Sequence, residues 1–136
     1  MAVEELSQVS VLADMRNRLE TCIMARVPNA VIIGRNAARL PNTTCLALPG
    51  LETRTEVMAL DLEGIMVGAG AACSSGKMGE STVLKAMGID AALAGSAIRI
   101  SLGWASVSDH LDAFLKAWIG LVQRKGLQVV DAAAAA

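Results

Sequence analysis

One stretch of the chain has residue types suited to covalent chemistry. Val67-Gly68-Ala69-Gly70-Ala71-Ala72-Cys73-Ser74-Ser75-Gly76-Lys77 sets three glycines, three alanines and two serines around a single thiol. No large apolar side chain follows Val67 there, so the segment has nothing to anchor in a core. Glycine admits backbone conformations closed to other residues, and such a run reads as a loop that turns sharply or moves. Cys73 would ride on it. The thiolate is the nucleophilic form of cysteine. At a free-thiol pKa of about 8.5 only a few per cent is ionised at neutral pH. The loop amides and Lys77 are the only activators the local sequence offers, so an activating group is expected outside the chain. The same residues also fit a plain connector with a buried cysteine, a common core filler. The residues alone leave both readings open.

Other reactive side chains are scattered. Ala97 to Leu102 alternates Ile98 and Ile100 with Arg99 and Ser101, which puts the guanidinium on the strand face opposite the isoleucines. By itself Arg99 reads as a structural ion pair at a strand end. Asn42, beside Pro41, reads as a turn residue whose amide is also able to hydrogen-bond a ligand. His110, in the first turn of a helix, reads as a surface residue, and Lys77 as a solvated charge. Cys22 falls on an apolar helical stripe and Cys45 inside a strand, both as packing. Three cysteines far apart, no CxxC and one histidine argue against a zinc site and against a disulfide framework.

The elements that must hold these residues follow from periodicity. Glu4 to Arg26 predicts a helix with Leu12, Met15, Leu19, Cys22, Ile23 and Arg26 on one side and Arg16, Asn17 and Glu20 on the other. Pro28-Asn29 ends it. Ala30 to Ile33 is a short β-branched strand and Thr43 to Leu48 a second. Thr53 to Leu62 predicts a helix opened by a Thr53/Glu56 capping box and stopped at Gly64. Ile65 to Val67 is a third strand. Ser81 caps a helix over 82–87 that stops at Gly88, and Asp90 to Leu93 adds a turn. Ala97 to Leu102 is the fourth strand. Ser108 caps Asp109 to Lys125, with Leu111, Phe114, Leu115, Trp118 and Val122 as its stripe and Gly126 as its stop. Met24, Met58, Met66, Met78 and Met87 show no shared stripe beyond ordinary core use. This order predicts one α+β domain over 1–136, a two-layer sandwich. About four strands form a small, mainly antiparallel sheet with helices packed on one face.

Composition narrows the function classes. A chain of 136 residues holds one proper core. With hydrophobic content of 54%, one Phe, two Trp and no Tyr, that core is aliphatic. The net charge of −1 argues against nucleic acid, whose binders carry a basic patch, and against a polybasic membrane contact. No signal peptide or long apolar run is seen, so a reducing, cytoplasmic setting is expected.

Several motifs together go further than the physics. Gly70-Ala71-Ala72-Cys73-Ser74-Ser75-Gly76 resembles the cysteine loop of the cysteine desulfurases, in the class-V branch of the pyridoxal-phosphate aminotransferase fold. Leu40-Pro41-Asn42-Thr43 is similar to that family's entry into the preceding strand. Val83-Leu84-Lys85-Ala86-Met87-Gly88 is similar to the helix after the loop, and Ala97-Ile98-Arg99-Ile100-Ser101-Leu102-Gly103 to its arginine strand. The resemblance runs from about Met15 to Arg124. The longer serine-and-glycine loop resembles the iron–sulfur-assembly group.

The resemblance implies the small C-terminal lobe of such an enzyme. Cys73 would be the nucleophile that takes sulfur from L-cysteine as a persulfide, with alanine leaving. Arg99 would clamp the substrate carboxylate, for which a planar, always-charged fork is suited. Asn42 would add a hydrogen bond near the pocket. The family's cofactor-anchoring lysine follows a histidine in the large lobe, and none of Lys77, Lys85, Lys116 or Lys125 stands in that setting. Pyridoxal phosphate therefore belongs to the complete enzyme, and this chain alone is expected to bind none and to be inactive. Leu51-Glu52-Thr53-Arg54-Thr55 also departs from the family's small and acidic residues there. Partners implied are the large lobe, a scaffold or sulfur-acceptor protein and, through the exposed lobe face, further copies of the chain. A non-catalytic persulfide-carrying or docking module, and the small lobe of a selenocysteine lyase, remain as alternatives.

Overall fold

A computed structural model describes residues 3–34, 42–69, 88, 90–102 and 108–131. Helix α1 (Val3–Arg26) leads to β1 (Val31–Ile33) and β2 (Thr43–Ala47). Helix α2 (Thr53–Leu62) is followed by β3 (Gly68–Ala69). The short helix α3 (Ala91–Ala94), β4 (Ala97–Ser101) and α4 (Ser108–Arg124) complete the order. The expected helix over 82–87 lies outside the described residues.

The sheet order is β1-β2-β4-β3 and every pair is antiparallel. Three strands carry it, and β3 is only a two-residue edge segment. The third strand was expected at Ile65 to Val67. Those residues instead cross toward the sheet, with Ile65 and Val67 packed against the core and Met66 left 89% exposed. The ladder forms one step later, where Gly68 meets Arg99 and Ala69 meets Ile98.

Alternation divides the sheet as β structure requires. Ile32, Leu46, Ile98 and Ile100 join Leu19, Ile23, Val27, Leu60, Phe114, Trp118 and Val122 in one core. The other face carries a smaller cluster of Ile33, Ala47, Ala94 and Ala97, with Cys45 and Leu93 against it. Helices α1, α2 and α4 thus cover one side, as the two-layer α+β reading expects.

Two of the helices stop at left-handed glycines. Gly64 (φ 79°) and Gly126 (φ 72°) follow α2 and α4. Ile65 N bonds Leu60 O and Gly64 N bonds Asp61 O, and the same pattern joins Leu127 to Val122 and Gly126 to Gln123. This six-to-one, five-to-two arrangement satisfies carbonyls that a helix end leaves open. The chain beyond α4 is tied back to α1: Val130 N donates to Arg26 O (2.7 Å) and Arg26 Nε to Val130 O (2.6 Å).

Two acids depart from the surface roles expected of them. Glu20 is 2% exposed and accepts the Thr44 hydroxyl of β2 at 2.7 Å; it faces the sheet because a helix of this width presents a broad inner side. Glu56 does not form a capping box. Glu52 is the N-cap residue and has no side-chain cap bond. The Thr53 hydroxyl instead donates to Gly95 O (2.9 Å) and Ala97 O (2.8 Å), latching α2 to the approach to β4. Glu56 is fully buried and accepts Trp118 Nε1 at 3.0 Å, while its Oε2 has no partner. Phe114 stacks on the same Trp118 (6.3 Å, 13°). Met24, Met58 and Met66 also depart from core use: Met58 is 60% exposed, Met66 89%, and Met24 lies at the surface as well.

Burial pushes the Glu56 carboxyl up to about 9, with the Trp118 hydrogen bond pulling weakly the other way. A group whose folded pKa exceeds its unfolded value holds its proton longer in the native state. Its contribution to stability is complete below pH 4.5 and is lost as pH rises toward 9. Thermal or urea unfolding is expected to show stability falling across that window, and Glu56→Gln to flatten the slope while keeping an acceptor for Trp118. Trp118→Phe removes the one bond to Glu56 and is expected to cost about 1–3 kcal/mol, the penalty of an orphaned buried group.

Candidate functional site

The sheet face away from the long helices presents the reactive side chains. On β4 the burial alternates so that Ile98 and Ile100 go inward while Arg99 and Ser101 are exposed. Register then chooses the neighbours of Arg99. On one side Cys45 of β2 stands directly opposite it, and on the other Gly68 of β3.

Gly68 matters here because it lacks a side chain. A Cβ built at this position would lie 3.5 Å from both Arg99 Nε and Arg99 Nη2. The guanidinium therefore lies across the glycine, over the edge segment from which the chain continues toward Cys73. Among the described residues Arg99 has no ion-pair partner. An exposed guanidinium fork on this face can take a carboxylate in two parallel hydrogen bonds.

Cys45 is half-buried and free. Burial pushes its thiol above the usual range, and the Arg99 guanidinium opposite acts in the lowering direction. It is held as a neutral thiol, suited to packing. Its place beside Arg99 was not visible in the sequence, because alternation gives the face of a residue but not its partner on another strand.

Asn42 sits at the entry to β2. Its Nδ2 donates to Leu102 O (2.8 Å), and Leu102 N donates to Asn42 O (2.8 Å). These two bonds hold together the ends of the central strand pair. Cys45 is three residues further along, about 10 Å at strand rise. The amide nitrogen of Asn42 is thus occupied by backbone, and its Oδ1 receives the Thr43 hydroxyl at 3.4 Å.

Cys73, Ser74, Ser75, Lys77 and Lys85 lie outside the described residues. His110 is exposed in the first turn of α4, as expected. Lys116 and Lys125 belong to α4 and its end, in the helical layer, so the described sheet face carries no lysine beside Arg99. The lysine set of the described residues is therefore Lys116 and Lys125. Among the described residues there is also no group of three potential metal ligands, and no helix is long and apolar enough to cross a membrane.

Comparison with known proteins fits this arrangement. The family described as aminotransferase class-V matches residues 11–114. A cysteine desulfurase of Cereibacter sphaeroides is 44% identical over 102 residues, covering 75% of this chain and 26% of the relative. A cysteine desulfurase of Sinorhizobium fredii is 33% identical, covering 85% and 30%. An IscS-like cysteine desulfurase of Mycobacterium tuberculosis is 35% identical over 99% of this chain and 35% of its own length. Among solved structures, a NifS-like protein from Rickettsia africae superposes with a TM-score of 0.73 at 29% identity, over 85% of this chain and 29% of that one. The chain spans about a third or less of the length of these relatives. Matched over most of its length in sequence and in fold, the chain belongs to the aminotransferase class-V family, among relatives that are cysteine desulfurases.

Proposed function

We propose that this chain is the small C-terminal lobe of a cysteine desulfurase, a single unit over 1–136 that works with a large lobe. Arg99 clamps the carboxylate of L-cysteine. Cys73 supplies the attacking thiolate. A sulfur–sulfur bond forms between Cys73 and the substrate thiol while the substrate carbon–sulfur bond breaks. The electron pair stays on the substrate carbon, which takes a proton and leaves as L-alanine. Pyridoxal phosphate, held by the large lobe, supplies the electron sink. The persulfide then passes to an acceptor protein that feeds iron–sulfur assembly, and Asn42 helps to frame the pocket edge.

The observation that supports this reading is the exposed Arg99 guanidinium lying across Gly68. The edge segment ends at Ala69, and Cys73 follows four residues later, so the chain itself tethers the thiol within about 14 Å of that edge. The charged fork and the chain segment that leads toward the thiol then meet at one edge of the sheet.

A chimera tests the proposal. This chain replaces the matching segment of the Cereibacter sphaeroides relative, and sulfide release from L-cysteine is followed with a thiol reductant present. The chimera is expected to be active and coloured by its cofactor. Cys73→Ser is expected to abolish sulfide release without loss of colour; retained release in that variant would overturn the assignment. Arg99→Ala is expected to raise KM for L-cysteine by about 10- to 100-fold, the worth of a charge-assisted pair, with kcat less affected. The isolated chain is expected to stay colourless and to associate through its open sheet face, which light scattering after size-exclusion chromatography would detect.

A further inference from the structure

A groove of ≈ 830 Å³ lies on the helical layer, remote from the Arg99 face, between α4, the end of α1 and the turn after α2. Its walls carry three cations, Arg26, Lys116 and Arg124, against one carboxylate, Glu63. Among the described residues Lys116, Arg124 and Glu63 form no ion pair, and Arg26 uses only its Nε, on Val130 O. Ile65, Leu115 and Ile119 supply an apolar floor.

The helix that forms one wall is built for this opening. Lys116, Gly120 and Arg124 are spaced four apart and share a face of α4. Glycine inside a helix costs about 1 kcal/mol relative to alanine. Here it leaves a gap that the guanidinium of Arg124 fills, since a Cβ at Gly120 would stand 3.5 Å from Arg124 Nη1. Arg124 lies along the helix there and remains exposed.

We infer that this groove docks an extended acidic segment of a partner protein, with two carboxylates four residues apart bracketing an apolar side chain. The spacing follows from geometry. Lys116 and Arg124 are eight residues apart, about 12 Å along the helix axis. Residues four apart in an extended chain are about 13 Å apart and point to the same side. The residue midway between them also points inward, toward the apolar floor. Arg26 closes the groove from the opposite wall. A net charge of −1 for the whole chain makes this attraction local, felt within about 10 Å at moderate salt. The inference does not draw on the desulfurase reading and survives or fails separately from it.

The experiment is fluorescence anisotropy of the chain with a dye-labelled peptide, Gly-Glu-Ala-Leu-Ala-Glu-Gly, capped at both ends. A control peptide has both glutamates replaced by glutamine. The acidic peptide is expected to bind at least about tenfold more tightly than the control, and more weakly as salt rises. The double variant Lys116→Glu, Arg124→Glu, at two exposed positions, is expected to remove that preference with its circular dichroism unchanged. Gly120→Ala is expected to keep the preference while raising the melting temperature. Equal binding of the two peptides, or an unchanged preference in the double variant, would overturn the inference. Displacement by inorganic phosphate at equal concentration would also overturn it, in favour of a small-anion site.

Discussion

Pairing between Thr43–Ala47 and Ala97–Ser101 is the constraint on which the structure rests. These are the two central strands, and their five-residue antiparallel register decides which side chains go where. With Leu46 opposite Ile98 and Thr44 opposite Ile100, every large aliphatic residue of the pair faces the long helices. Cys45 and Arg99, opposite one another, are forced to the other face. A slip of one residue would reverse both sets, placing a guanidinium in an aliphatic core. Bonds around the ladder hold it in step. Asn42 and Leu102 tie one end, and Thr53 grips the carbonyls of Gly95 and Ala97 at the other.

The helical layer is held to this pair by polar contacts as well as by packing. Glu20 reaches β2 through Thr44, and Glu56 reaches α4 through Trp118. These contacts differ in character. A bond from a hydroxyl compensates Glu20 directly. Glu56 meets only an indole N–H and leaves one oxygen unbonded, so burial drives it to the neutral acid. Such a contact gives direction to helix packing more than strength, because an apolar residue of like size would carry no orphaned oxygen.

Much of the fold was legible because its helices are amphipathic and its stops are chemically marked. Leu111, Phe114, Trp118 and Val122 recur at helical steps, and all are buried. Gly64 and Gly126 end helices as expected, since left-handed turns favour glycine. What was not legible depends on partners distant in sequence. Thr53 and Glu56 satisfy a local capping pattern, yet one is drawn to a carbonyl 44 residues away and the other to Trp118. Ile65 to Val67 has the right alternation, but the ladder forms where β4 offers a partner, at Gly68 and Ala69. At the candidate site, alternation alone gave the exposure of Arg99. Its neighbours Cys45 and Gly68 belong to register, which no stretch of sequence encodes locally.

The reciprocal bonds between Arg26 and Val130 fix where the segment after α4 lies. They pin the last described turn beside the end of α1, on the side of the molecule away from Arg99. A dye carried at the exposed Asp131 would therefore sit on the helical side and leave the sheet face unobstructed. The same label would stand near the cationic groove, whose wall includes Arg26, and so suits assays of the sheet better than assays of the helices.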